Sequence, residues 1–176
     1  MKGIIYIDVD KCQGCKTCEI ECAIEHSKSK NLFGAISEKP LPQYRVKVEG
    51  LDEFNVPLQC RHCEDAPCIE ICPTGALKKL GVEQPVILES ELCIGCKWCV
   101  LVCPFGVLKL DSEGKLITKC DLCYERLKLN EKPACVEGCP TKALKFMTMD
   151  EIVKDKKEKF LIGFKKAKKV SAEITY

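Results

Sequence analysis

The chain has 176 residues, a length suited to one domain or two very small ones. Hydrophobic residues make up 46% of it, but sixteen of these are cysteine, and one tryptophan, four tyrosines and six phenylalanines are all it has to build an aromatic core. That excludes a fold held by apolar packing alone and points to a disulfide or metal scaffold. Twenty-eight basic residues against twenty-six acidic ones give a formal charge of +2, and no basic, aromatic-studded surface motif stands out, so nucleic acid is not an expected partner.

Taken from the N-terminus, Ile4 to Val9 reads as a short strand. Met1 to Asp10 is too short an apolar run, too soon interrupted by Asp8 and Asp10, to serve as a secretory signal, and no twin arginine precedes it. The expected location is therefore the cytoplasm, where thiols stay reduced and dense cysteines bind metal rather than pair with one another. The longest apolar runs, such as Cys99 to Cys103, fall far short of the ~20 residues that cross a bilayer, so no membrane span is expected.

The cysteines then arrive in four groups of four. The first is Cys12, Cys15, Cys18 and Cys22. A stretch of different character follows, Ser27 to Gly50, broken by Pro40 and Pro42 and ending in a strand-like alternation from Arg45 to Glu49; it reads as a surface loop and an edge strand. A second strand-like run, Val56 to Gln59, leads to the second group, Cys60, Cys63, Cys68 and Cys72. Val86 to Glu89 leads to the third, Cys93, Cys96, Cys99 and Cys103, and Ile117 to Lys119 to the fourth, Cys120, Cys123, Cys135 and Cys139.

The first and third groups share one spacing, and aligning them superposes Asp8 on Glu89, Gly14 on Gly95 and Lys16 on Lys97. The second and fourth also correspond, through CPTGAL (Cys72 to Leu77) and CPTKAL (Cys139 to Leu144), except that a loop within Asp121 to Pro133 is seven residues longer. Last, Asp150 to Lys169 reads as a helix with Thr148 or Asp150 as its cap, acids in its first turn and lysines at its end. Ile152, Val153, Phe160, Phe164 and Ala167 fall near one face, which is expected to pack over a cluster lobe or, as the alternative, to dock a partner.

Cysteines at every third residue let a loop wrap three corners of an iron–sulfur cube while its backbone amides point at the sulfides. Gly14 and Gly95, between the first two ligands, supply the freedom for so tight a turn. The fourth cysteine is expected at the start of a helix, facing away from its own loop, where it ligates a neighbouring cluster. Pro73, Pro104 and Pro140 follow it in three groups and suit a first helical turn; Ala23 follows Cys22 instead. Zinc sites use two separated CxxC pairs and do not show this pattern four times over. Sixteen cysteines therefore predict four 4Fe-4S clusters. Each with its thiolates is a dianion, which takes the chain's charge to about −6.

From Ile4 to Phe146 the residues resemble the four-cluster, ferredoxin-like electron-transfer subunits found with molybdopterin oxidoreductases, formate hydrogenlyase and nickel carbon monoxide dehydrogenase. The resemblance implies an α+β fold of two dicluster, bacterial-ferredoxin-like lobes made of short strands and helices, one lobe inserted in the other. The outer lobe is expected over residues 1–50 and 111–149, the inserted lobe over 51–110, and a lysine-rich helix and tail over 150–176. It also implies the ligand sets: Cys12, Cys15, Cys18 and Cys139; Cys120, Cys123, Cys135 and Cys22; Cys60, Cys63, Cys68 and Cys103; Cys93, Cys96, Cys99 and Cys72.

Within the family, Ala23 to Ile36 and Pro57 to Cys68 look most like the subunit associated with carbon monoxide dehydrogenase. The resemblance thus implies a subunit of a hetero-complex carrying single electrons between that enzyme and a hydrogenase or NAD(P) oxidoreductase, with formate dehydrogenase as the alternative partner. A scaffold stapled by clusters is the reading from another class. No GxGxxG, P-loop or flavin signature is present and every cysteine is committed to a ligand position, so the chain is not expected to be an enzyme. Trp98 is expected to pack over a cluster, His62 to make structural hydrogen bonds or, as the alternative, to gate electrons, and His26 to lie on the surface.

Overall fold

The computed structural model describes residues 3–81 and 84–173, with residues 166–173 described by their backbone only. Among the described residues eight short strands form four antiparallel pairs: β1 (Ile4–Ile7) with β8 (Leu144–Met147), β2 (Lys47–Leu51) with β3 (Phe54–Leu58), β4 (Leu77–Lys79) with β5 (Val86–Leu88), and β6 (Lys109–Leu110) with β7 (Ile117–Thr118). The helices are α1 (Thr17–Glu25), α2 (Leu32–Ala35), α3 (Pro67–Glu70), α4 (Trp98–Val102), α5 (Tyr124–Lys128), α6 (Ala134–Glu137) and the long α7 (Met149–Glu173).

The pairing repeats itself in detail. β1 joins β8 with Ile7 opposite Leu144, and β4 joins β5 with Leu77 opposite Leu88. Just beyond these pairs, the Asp8 amide donates to the Ala143 carbonyl and the Glu89 amide to the Ala76 carbonyl, each at 2.8 Å, so the two residues superposed in the sequence repeat do the same work.

Buried side chains gather into two clusters. One draws Ile5, Val46, Val48, Leu122, Leu127, Val136 and Leu144 around cysteines of the first and fourth groups. The other draws Leu77, Val86, Val107, Leu108 and Ile117 around cysteines of the second and third. Each is a thin apolar shell in which thiols occupy the volume that leucines or phenylalanines fill in an ordinary core.

The hairpins cross between the repeats. A Cβ added to Gly14 would lie 2.9 Å from the side chain of Asn55, in β3, and one added to Gly95 would lie 2.3 Å from the Lys115 carbonyl oxygen, between β6 and β7. The strand that leads into the second cysteine group thus covers the first loop, and the strand that leads into the fourth covers the third.

Two local expectations are corrected. Cys72, Cys103 and Cys139 do not start helices: they follow α3, α4 and α6 and open hydrogen-bonded turns, Gly75 to Cys72 at 3.3 Å, Gly106 to Cys103 at 3.2 Å and Lys142 to Cys139 at 3.3 Å. The proline next in sequence disfavours helical φ/ψ at the cysteine and has no amide to extend the ladder. Ala23 lifts that restriction, and α1 runs on through Cys22 to Glu25.

Helix α7 begins where expected, with Thr148 and Glu151 capping each other: the Glu151 amide donates to Thr148 Oγ1 at 3.3 Å and the Thr148 amide to Glu151 Oε2 at 2.8 Å. Its apolar face does not pack over a cluster lobe. Ile152 is buried, but Val153, Phe160 and Phe164 are exposed, the last two stacked edge-to-face at 4.8 Å. Lys159 reaches buried Asp8 at 2.7 Å and Asp155 reaches Lys145 at 3.5 Å, so the charged side of the helix is the side held to the body. Phe160, one residue and 100° on from Lys159, is turned away. Ala167, the remaining residue of that face, lies outside the described side chains.

Candidate iron–sulfur centres

Each cysteine loop is bent by residues of left-handed backbone. In the first and third, Gly14 and Gly95 both have φ near +69°, and Lys16 and Lys97 have φ of 58° and 65°. Alternating hand curls a run of amides into a concave nest that favours an anion. In the second and fourth groups, His62 and Leu122 take the left-handed turn, and their amides donate to Cys60 Sγ at 3.4 Å and Cys120 Sγ at 3.3 Å.

Three cavities are walled by four cysteines each. Cys12, Cys15, Cys18 and Cys139 line one, with Val48, Pro57 and Leu144. Cys60, Cys63, Cys68 and Cys103 line the second, with Val86, Val107 and Leu108. Cys72, Cys93, Cys96 and Cys99 line the third, with Leu77 and Ile117. Each takes three thiols from one group and one from another. The four remaining cysteines also neighbour one another: burial first, with nearby thiols and Asp121 adding to it, pushes the thiols of Cys120, Cys123 and Cys135 up, Cys123 to about 12. Burial likewise pushes Cys18 to about 12 and Cys99 to about 11. Such thiols keep their protons until a metal displaces them, and all sixteen cysteines are free.

The donor sets fit a cube of iron and sulfide. Four thiols in an apolar pocket are the soft donor set that iron–sulfur clusters take, and no carboxylate or imidazole lines these three walls. An orphaned donor fits as well. His62 Nδ1 accepts from the Val86 amide at 3.0 Å, which places the ring proton on Nε2, and that buried Nε2 has no partner in the protein. It lies between two cysteines of the second loop, where a cluster sulfur can accept it. Burial, with the charge of Lys119 behind it, pushes His62 down to about 3 and keeps the ring neutral. His62 is thus the hydrogen-bonding residue the sequence suggested.

His26 corrects its expectation. It is not on the surface: its side chain is 12% exposed and bridges α1 to the fourth cysteine group. Nδ1 lies 2.7 Å from the Cys22 carbonyl oxygen and Nε2 3.1 Å from Asp121 Oδ1, so both nitrogens face acceptors and both carry protons. Burial opposes the charge, but the hydrogen bonds to Asp121 and Cys22 outweigh it and raise His26 to about 9. Arg45 Nη1 adds a second cation on Asp121 at 2.6 Å, and the Arg45 amide donates to Cys22 Sγ at 3.2 Å. Although burial works against ionisation there, these partners hold the Asp121 carboxyl well below the usual carboxylate range. His26, Asp121 and Cys123 could by distance enclose an ion, but an imidazolium has no lone pair to give one.

Trp98 also differs from its expectation. The residue is 52% exposed at the start of α4 and is not among those that line the third cavity, so it flanks the third loop without sealing it. Lys119 and the His26–Asp121–Arg45 network carry no spacing signal; only the repeat, which places Lys119 opposite Gln59 and Asp121 opposite Arg61, marks them as departures from symmetry.

A family model for a 4Fe-4S dicluster domain matches residues 51–149. The chain is 40% identical over 159 residues to an iron-sulfur protein of Rhodospirillum rubrum, covering 84% of this chain and 83% of that one. It is 37% identical over 153 residues to the B subunit of anaerobic dimethyl sulfoxide reductase of Haemophilus influenzae, covering 84% and 74%. It is 35% identical over 159 residues to the electron transport protein HydN of Escherichia coli, covering 82% and 87%.

Proposed function

The chain belongs to the 4Fe-4S dicluster family, an electron-transfer iron–sulfur protein and not itself an enzyme, and from that premise we propose that it is a four-cluster wire between two redox partners. The clusters supply one-electron exchange; the chain's own residues hold them, shield them and set their potentials. The ligand sets are Cys12, Cys15, Cys18 and Cys139; Cys22, Cys120, Cys123 and Cys135; Cys60, Cys63, Cys68 and Cys103; and Cys72, Cys93, Cys96 and Cys99. The observation that carries this reading is the repeated three-plus-one make-up of the cysteine-lined cavities. It supports an outer lobe from the first and fourth groups, over 1–50 and 111–149, and an inserted lobe from the second and third, over 51–110.

The donor we propose is a carbon monoxide dehydrogenase, with a hydrogenase or NAD(P) oxidoreductase as acceptor; the segments Ala23 to Ile36 and Pro57 to Cys68 support this choice. A place beside a terminal reductase or a formate dehydrogenase is the second reading, favoured by the relative named as a dimethyl sulfoxide reductase subunit. Among the described residues no helix is long and apolar enough to cross a membrane. The test is anaerobic: the purified chain is to carry about sixteen iron atoms, and its visible absorption is to bleach when carbon monoxide and the dehydrogenase are added. Full iron with no bleaching by that enzyme, but bleaching by formate and formate dehydrogenase, transfers the chain to the second reading. A chain that no redox enzyme reduces is a scaffold.

A further inference from the structure

Four polar or charged side chains are buried among the described residues, Asp8, Ser27, Gln59 and Lys119, and Lys119 is the only cation of the four. It is 3% exposed. Its ammonium donates to the Val86 carbonyl at 2.5 Å and to the Cys120 carbonyl at 2.6 Å, and among the described residues no carboxylate lies within ion-pair distance of it. An ammonium is among the costliest groups to bury without a counter-charge. Two carbonyl dipoles satisfy two of its protons and ease its burial, but they do not neutralise its charge.

The two carbonyls locate that charge. Val86 lines the cavity of Cys60, Cys63, Cys68 and Cys103, and its own amide is held by His62 of the same loop. Cys120 belongs to the other lobe's set with Cys22, Cys123 and Cys135. Lys119 therefore spans the seam between one ligand set of each lobe, with its ammonium on the Val86 carbonyl on one side and the Cys120 carbonyl on the other. The repeat shows that this cation is not a requirement of the loop. Gln59 stands at the matching position before the second group, just as deeply buried and neutral.

We propose that Lys119 is the shared counter-ion of the two clusters that face each other across the lobe seam, and that it raises the reduction potential of both relative to the outer two. This rests on the four-cluster reading. When an electron crosses the seam, the receiving cluster goes from dianion to trianion and the giving one returns from trianion to dianion, so the electron count is unchanged. Throughout, a fixed cation lies near both, lowering the cost of the extra negative charge on either and easing the repulsion between them. Lys119 is a positioning and tuning residue that need not touch a partner.

The experiment is a redox titration of the whole loaded protein followed by electron paramagnetic resonance, with Lys119→Met and Lys119→Arg beside the parent. Lys119→Met is expected to keep the parent's iron content and lose at least tenfold in the reduction equilibrium of two clusters, 59 mV for a one-electron couple, while the other two move by much less. Lys119→Arg, which keeps the charge, is expected to stay close to the parent. Four unchanged potentials in fully loaded Lys119→Met, or four equal shifts, overturn the proposal and leave the four-cluster reading standing. If Lys119→Met loses iron, the proposal survives only where Lys119→Arg regains it; loss in both variants overturns it. A parent chain with fewer than four clusters overturns the reading underneath instead.

Discussion

Gly14 and Gly95 occupy the same place in two loops of identical spacing, with the same φ of +69°, yet alanine is expected to affect them very differently. In both, an L-residue in the left-handed region costs roughly 1–2 kcal/mol. At Gly14 the new Cβ meets only the Asn55 side chain at 2.9 Å, which can rotate aside. At Gly95 it meets the Lys115 backbone oxygen at 2.3 Å, so the turn between β6 and β7 or the third cysteine loop itself must move by about an ångström. That takes the total at Gly95 to about 3 kcal/mol or more, among the larger effects a single substitution has.

The assay is the rate at which visible absorption bleaches in guanidinium under anaerobic conditions, because such a protein unfolds irreversibly once iron leaves and its stability is read as a rate. Gly14→Ala is expected to bleach a few-fold faster than the parent and Gly95→Ala at least tenfold faster than Gly14→Ala, since about 1.4 kcal/mol is a factor of ten. Equal rates for the two variants would refute the reasoning that β6–β7 clamps the third loop through its backbone.

Two more expectations follow from ion pairs. Glu25 on α1 is gripped by Lys30 at 3.0 Å and Arg126 at 3.2 Å; burial opposes its charge, but these partners lower its carboxyl below the ordinary value. Its contribution is therefore complete above the unfolded value near pH ~4.3 and is lost as pH falls through the folded one. Glu25→Gln should bleach faster than the parent at pH 6 by an amount worth about 0.5–1 kcal/mol, with the gap closing on acidification; a gap that widens in acid contradicts the sign. Lys159→Met should free α7 from Asp8 without loss of iron. Amide exchange along Met149–Glu173 would then rise about fivefold, and unchanged exchange would mean that Ile152 and the Lys145–Asp155 pair hold the helix by themselves.

The cysteine framework was legible because metal ligation writes itself into spacing. Every third residue a thiol, a glycine between the first two, a proline after the fourth: each is a local demand of the loop, so it survives in one dimension. The strands before each group and α7 were legible for the same reason, their signals lying within a few residues of each other. The reading went astray where one residue changes the reach of another. Proline after Cys72, Cys103 and Cys139 ends a helix there and does not begin one, and Ala23 after Cys22, which looks like a flaw in the motif, lets α1 continue to the point where His26 can reach Asp121. That contact spans ninety-five residues and carries no pattern.

The amino-acid order alone thus pointed to the chemistry, 4Fe-4S clusters on a cysteine framework, since each loop carries its own spacing. Only the folded chain decided what surrounds them. The burial of Lys119 with no carboxylate beside it among the described residues, the turning of the α7 phenylalanines to solvent while Lys159 pairs with Asp8, and the close approach of β3 to the Gly14 loop and of the β6–β7 turn to the Gly95 loop are sums of contacts between distant segments. Burial and Coulomb energy depend on three-dimensional neighbours, and no local spacing records them.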